Sequence, residues 1–305
     1  MHSTLKPVVD QLNQIILGKD EQIRLALVCL LAHGHLLIED LPGMGKTTLA
    51  HALAKVLGLD FQRIQFTSDL LPADIIGTAI YRRSDETFKF HQGPIFTQVI
   101  LADEVNRATP KSQSALLEAM EEYQVTSEGV SRKLPSPFFV IATQNPFHQI
   151  GTYPLPESQL DRFLIRISLG YPAAEVERLL FKGQETRSQI EALNPLLNAE
   201  QLSGFQRQVE QVTVTEPLLD YLQALVQATR SSREWVHGLS PRGGLSLLRA
   251  ARAWAFLHAR DYVTPDDIQA VWPSVAAHRL SAQSTHDSDP DSAVMALLRQ
   301  THVPR

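Results

Sequence analysis

The sequence predicts an α/β protein: a three-layer αβα core with a mainly parallel sheet over residues 1–172, followed by an all-α domain over residues 173–305. Two patterns carry that expectation. Apolar runs of strand length alternate with helical spacing through the first half, and beyond about Ala173 the strand signals fade while helical patterns continue. Size agrees, because 305 residues with 44% hydrophobic content suffice for a large core and for two domains of ordinary length.

The segment "EQIRLALVCLLA" (21–32) is apolar on nearly every face, as a buried helix is, and Gly34 offers a stop before "HLLIE" begins the first strand. A glycine-containing turn follows, and "TTLAHALAKVL" is helical by spacing up to Gly58. "FQRIQF", "QVILADE" and "FFVIATQN" are apolar runs of strand length, the last two deep in the sheet. Pro146 stops the last of them. In "FLIRISLG", Phe163, Ile165, Ile167 and Leu169 alternate with more polar positions, which predicts a strand covered mainly on one face. Two insertions, 77–93 and 122–135, each hold a polar turn between extended arms and predict hairpins. They are either surface elaborations or elements that project into a substrate path. In the helical half, Ser240-Pro241 and Thr264-Pro265 are helix starts, a hydroxyl cap followed by Pro at the first helical position. A polar tail spans 281–293.

Several function classes are disfavoured. A net charge of −5 gives no general attraction to nucleic-acid backbones or anionic lipid. Cys29, the single cysteine, lies in an apolar run, so no internal disulfide forms and a buried hydrophobe is expected. The N-terminal stretch lacks the layout of a signal peptide and no apolar run reaches spanning length, so a cytoplasmic protein without membrane insertion is expected. There is no H-E-x-x-H and no cysteine pair, and His33 and His35 read as packing or surface groups.

The chemistry concentrates in "EDLPGMGKTT". A helix start offers unpaired N–H groups and partial positive charge, so a flexible turn between strand and helix cradles phosphate. Pro42, Gly43, Met44, Gly45, Lys46, Thr47 and Thr48 form that cradle, with Lys46 reaching the β and γ phosphates and Thr47 joining the Mg²⁺ shell. Asp40 stands where the pattern usually opens with Gly; it can hydrogen-bond its own loop or tolerate a left-handed conformation. "QVILADE" places Asp103 and Glu104 together at a buried strand end, where Asp103 would hold the metal through water and Glu104 would orient or deprotonate the attacking water. Asn145 ends the next strand at the same level and could align that water, although Asn before Pro also makes an ordinary turn. Arg242, second in its helix, meets the wrong end of the macrodipole, a conflict that a γ-phosphate would resolve; an ordinary surface arginine is the alternative.

Taken together, "LPGMGKT", "ILADEVNRA", "ATQNP", "PLPESQLDRFL" and "LSPRG" resemble the MoxR family of AAA+ ATPases over nearly the whole chain. The resemblance implies an AAA+ P-loop core with a small helical lid, ATP and Mg²⁺ held between them, and a homo-oligomeric ring, usually a hexamer. In that family the Asp of "EDLPGMGKT" is common. Arg162 in "LDRF" matches its arginine finger, with Arg107 as rival and a salt-bridged core-edge role as the alternative. Ile16, Leu17 and Gly18 resemble an adenine-contacting segment, although helix packing explains Ile16 and Leu17 equally well. The two insertions match the family's helix-2 insert and pre-sensor hairpin. Relatives are thought to remodel or activate protein clients, often beside a protein with a von Willebrand factor A domain. Two other readings stay open: a nucleic-acid motor with Arg132 and Lys133 as backbone contacts, disfavoured by the lack of an appended DNA-binding module, and an ATP-gated scaffold that hydrolyses slowly.

Overall fold

The computed structural model describes residues 1–84, 86–145, 151–181, 186–281 and 290–303. The strand stop at Pro146 and most of the polar tail lie outside them. In chain order the elements are α1 (Lys6–Ile15), α2 (Asp20–Leu31), β1 (Leu36–Glu39), α3 (Lys46–Val56), β2 (Phe61–Gln65), α4 (Pro72–Ile76), β3 (Gly77–Arg82), β4 (Thr87–Gln92) and β5 (Val99–Asp103). There follow α5 (Pro110–Glu122), β6 (Gln124–Ser127), β7 (Val130–Lys133), β8 (Phe139–Gln144), α6 (Glu157–Leu160) and β9 (Ile165–Ile167). The helical half comprises α7 (Ala174–Phe181), α8 (Thr186–Glu191), α9 (Ala199–Glu210), α10 (Glu216–Ser231), α11 (Pro241–Leu257), α12 (Pro265–Ala276) and α13 (Pro290–Gln300).

Five strands form one parallel sheet in the order β2-β5-β8-β1-β9. Because side chains alternate across a strand, Leu36, Ile38, Val99, Leu101, Phe139 and Ile141 enter one apolar core. Leu37, Ile100, Ala102, Val140 and Ala142 enter the other. Burial on both faces explains why β5 and β8 read as continuous apolar runs, whereas edge strand β2 buries only Ile64 and edge strand β9 leaves Arg166 partly exposed. The first core continues through α1, α2 and α3 into the helical half as far as Leu298, so the two halves share one apolar interior.

The local stops and caps follow simple rules, with one shift. After α2 the left-handed residue is His33 (φ 52°), not Gly34. Gly34 is required instead by crowding, since a Cβ there would sit 2.3 Å from the Leu164 side chain. Ser240 caps α11 by accepting from the Gly243 N–H at 3.0 Å. Both predicted hairpins exist: β3 pairs antiparallel with β4, and β6 with β7 across Glu128-Gly129, both at positive φ as a type I′ turn requires. They touch one another, the Arg132 guanidinium lying 3.7 Å from the centre of the Phe90 ring. No helix among the described residues is long and apolar enough to cross a membrane.

Candidate nucleotide site

The parallel register brings the carboxyl ends of β1, β5 and β8 to one edge of the sheet, with Glu39 opposite Gln144 and Gln65 opposite Asp103. Crevices at that edge are where open α/β sheets bind ligands. The turn from β1 to α3 lies there. Gly43 and Gly45 adopt φ of 85° and 89°, and a Cβ at either position would meet no atom within 4 Å. Glycine is therefore required by backbone conformation, and the space above the loop stays open in front of the first N–H groups of an 11-residue helix. Lys46, the first residue of α3, donates from Nζ to the carbonyls of Asp40 at 2.7 Å and Leu41 at 3.2 Å. Partial burial lowers its pKa, an effect opposed by Asp40, Asp103 and Glu104.

Asp40 does not face the loop's interior. Since β9 runs beside β1 with Ile38 opposite Ile167, the residues after β9 pass alongside Asp40. Its Oδ2 accepts from the N–H groups of Leu169 at 2.5 Å and Gly170 at 2.8 Å and from the Ser168 hydroxyl at 3.3 Å. Oδ1 accepts from the Leu41 N–H at 3.1 Å. Of the two uses expected for Asp40, hydrogen bonding is the one observed, and its φ is not positive. The carboxylate thus ties the start of the phosphate loop to the chain that leads into the helical half.

Asp103 and Glu104 are held by partners from two neighbouring strands. The buried Thr143 hydroxyl donates to Asp103 Oδ1 at 2.6 Å and accepts from the Glu104 N–H at 2.9 Å. Arg63 donates twice to Asp103 Oδ2, at 2.6 and 3.1 Å. Glu104 itself has φ of 56°, a left-handed conformation that a non-glycine residue adopts at a cost of order 1 kcal/mol or more and that re-aims its side chain at the strand end. Its Oε2 accepts from Gln65 at 2.9 Å and Arg107 at 2.8 Å. Asn145 directly follows β8, and its carbonyl accepts from the Asn106 side chain at 3.4 Å. Thr143, Arg63 and Gln65 escaped the sequence reading; the hydroxyl two residues before Asn145 in "IATQNP" was the one available signal.

The apolar part of the site is a cleft of about 240 Å³ whose walls include Ile16, Leu17, Met44, Thr48, Pro172 and Val176. It joins the segment before α2 to the phosphate loop and to the first helix of the helical half, and Gly43 and Gly45 line it too. Gly18 bends the chain beside it at φ of 71°. The residues fit a nucleoside triphosphate: an open backbone cradle, a cation at its mouth, and an apolar slot for a base. They fit Mg²⁺ in the same sense. Among the described residues no three His, Cys, Asp or Glu side chains cluster, so a cation here would combine Thr47 and Asp103 with phosphate oxygens and water.

Arg162 and Arg242 lie elsewhere, together. Both ion-pair with Glu121 at the end of α5, Arg162 at 2.9 Å, and with it they line a second cavity of about 200 Å³. Neither lines the cleft beside the phosphate loop. Arg162 Nε is buried without an acceptor among the described residues. Arg107 remains at the first site, bonded to Glu104. His35 is buried, donating from Nε2 to the Met120 carbonyl and accepting the Val140 N–H at Nδ1, each at 3.0 Å, and burial pushes its pKa down to about 4. Cys29 is likewise buried, its thiol pKa raised by desolvation.

Comparison with known proteins agrees with this geometry. The family described as ATPases associated with various cellular activities matches residues 35–165, and the AAA lid domain matches residues 227–297. The chain is 48% identical to the uncharacterised protein YeaC of Bacillus subtilis (strain 168), over 92% of this chain and 88% of that one. It is 41% identical to Chaperone MoxR1 of Mycobacterium tuberculosis, over 99% of this chain and 83% of that one. A crystal structure of a candidate ATPase from Cytophaga hutchinsonii superposes with a TM-score of 0.90 at 37% identity, covering 99% of this chain and 95% of the other.

Proposed function

The chain belongs to the MoxR family of AAA+ ATPases, and from that premise we propose that it hydrolyses ATP with Mg²⁺ in a ring of identical subunits to remodel or activate a protein client. The observation that carries the reading is the Thr143 hydroxyl, which binds Asp103 and Glu104 at once and so sets both carboxylates at the strand edge that bears the phosphate loop. Residues 1–172 act as the nucleotide core and residues 173–305 as the lid.

In this reading the α3 N-terminus and Lys46 bind and orient the phosphates, while Thr47 and Asp103 hold the cation, whose chemistry is neutralisation of phosphate charge. Glu104 orients the attacking water and accepts its proton, with Asn145 beside it. Ile16, Leu17 and Gly18 receive the base. Arg162 and Arg242 share the Glu121 carboxylate, which sets them close enough to act on one further anion; their separation from the phosphate-loop cleft supports a role on the triphosphate of an adjoining subunit. Arginine supplied in trans is worth roughly 10³ to 10⁵ in rate. A protein client, with a von Willebrand factor A domain protein as the first partner to test, is supported by the relative named a chaperone.

Purified protein should turn over ATP only with Mg²⁺, and Lys46→Ala and Glu104→Gln should each abolish turnover while Glu104→Gln still binds nucleotide. Undiminished turnover in both variants refutes the mechanism. Assembly on ATP without turnover in the unaltered protein would favour the slow scaffold.

A further inference from the structure

Arg162 sits on backbone that no ladder holds. Residues 161–164 lie between α6, a four-residue helix with no buried side chain, and β9. The core takes its N–H groups, Arg162 bonding Gln159 at 3.2 Å, Phe163 bonding Leu160 at 3.0 Å and Leu164 bonding His35 at 2.9 Å, while its carbonyls are held from the lid. Arg279, in the 3₁₀ turn Ala277–Arg279 after α12, has only 3% of its side chain exposed. It donates to the carbonyls of Asp161 at 3.3 Å, Phe163 at 2.5 Å and Leu164 at 3.2 Å, and from Nε to the Asp161 carboxylate at 2.7 Å. The neighbouring His278 reaches the Phe163 carbonyl through Nε2 at 3.0 Å. The other Asp161 oxygen accepts from Ser240 at 3.2 Å, and Ser240 is the cap of the helix that carries Arg242.

One buried guanidinium thus grips the chain on both sides of Arg162, and the carboxylate it holds reaches the start of the helix bearing Arg242. A five-donor planar fork suits this task, because it fixes direction as well as distance; a lysine ammonium would supply the charge without that geometry. We infer that Arg279 and Asp161 are positioning residues that lock Arg162 to the lid, so that lid orientation in one subunit sets the aim of the arginine offered to the next. This rests on the reading of Arg162 as a residue acting on a neighbour's triphosphate.

Mixed assemblies of full-length chains test it. Subunits with Lys46→Ala cannot use their own loop but can donate Arg162, and subunits with Arg162→Ala have the opposite defect. Mixing the two should restore ATP turnover. Adding Arg279→Lys to the Lys46→Ala donor should cut the restored kcat at least tenfold while KM for ATP changes less than twofold. The same change added to the Arg162→Ala acceptor should cost less than twofold, since the residue it positions is already absent. Asp161→Asn in the donor, which keeps side-chain shape and leaves Arg279 on its carbonyls, should lower kcat in the same asymmetric way and serves if Arg279→Lys fails to fold. Equal losses in donor and acceptor, or full rescue by the altered donor, would overturn the inference. No rescue in the reference mixture would overturn the reading of Arg162 itself, and the inference with it.

Discussion

Replacing Asp40 by Gly restores the usual first residue of the phosphate-loop pattern, yet this structure requires the change to be damaging. Asp40 is only 6% exposed, and its carboxylate accepts two backbone N–H groups from beyond β9, at 2.5 and 2.8 Å. Hydrogen bonds to a charged group contribute about 1.5–3 kcal/mol each, and a glycine adds about 0.5–1 kcal/mol of backbone entropy. Discounting for water that reaches the freed donors, Asp40→Gly should cost about 3 kcal/mol. With a urea dependence near ~3 kcal/mol per molar for a chain of this size, the unfolding midpoint falls by about 1 M. Asp40→Asn keeps one acceptor oxygen and should fall about half as far. Because Gly170 and Pro172 line the same cleft as Met44, loosening this tie should also weaken binding of a fluorescent ATP analogue several-fold. Equilibrium urea unfolding followed by circular dichroism reads the first effect and a binding titration the second. A midpoint for Asp40→Gly within about 0.2 M of the parent would show that the contacts to Leu169 and Gly170 contribute nothing, and the account of Asp40 would fail.

Two further outcomes are expected. Thr143→Val keeps the shape of the buried side chain and removes the hydroxyl shared by Asp103 and Glu104; ATP turnover should fall by about 10- to 100-fold with a stability loss of about 1–2 kcal/mol, and turnover equal to the parent would remove Thr143 from the site. Acid should destabilise the fold through His35, whose pKa is about 4 when folded against an ordinary 6.5. Between these values the unfolded chain binds the proton and the folded chain does not, so stability present above pH 6.5 is lost as pH falls, by about 1.4 kcal/mol per unit. His278, also pushed down by burial, adds in the same direction. Urea midpoints at pH 7.5 and 5.5 should converge in His35→Gln relative to the parent; an unchanged pH dependence would contradict this.

What the sequence determined by itself was whatever is carried by neighbours in the chain. Helix α2, strands β5 and β8, both hairpins and the turn around Gly43 and Gly45 are written as local periodicity and turn chemistry, and the run from β1 through that turn to Lys46, like the Asp103-Glu104 pair at the end of β5, is contiguous in the chain and so was legible as a candidate. The tertiary structure decided which partners these residues meet. Thr143 lies 39 positions from the Glu104 amide it binds, Asp40 reaches a backbone 129 positions on, and Arg242 meets Glu121 across 121. Those pairings depend on strand order and on how the lid packs, and neither leaves a periodic trace, because a hydrogen bond is specified by where two segments cross and not by what surrounds either one in the chain.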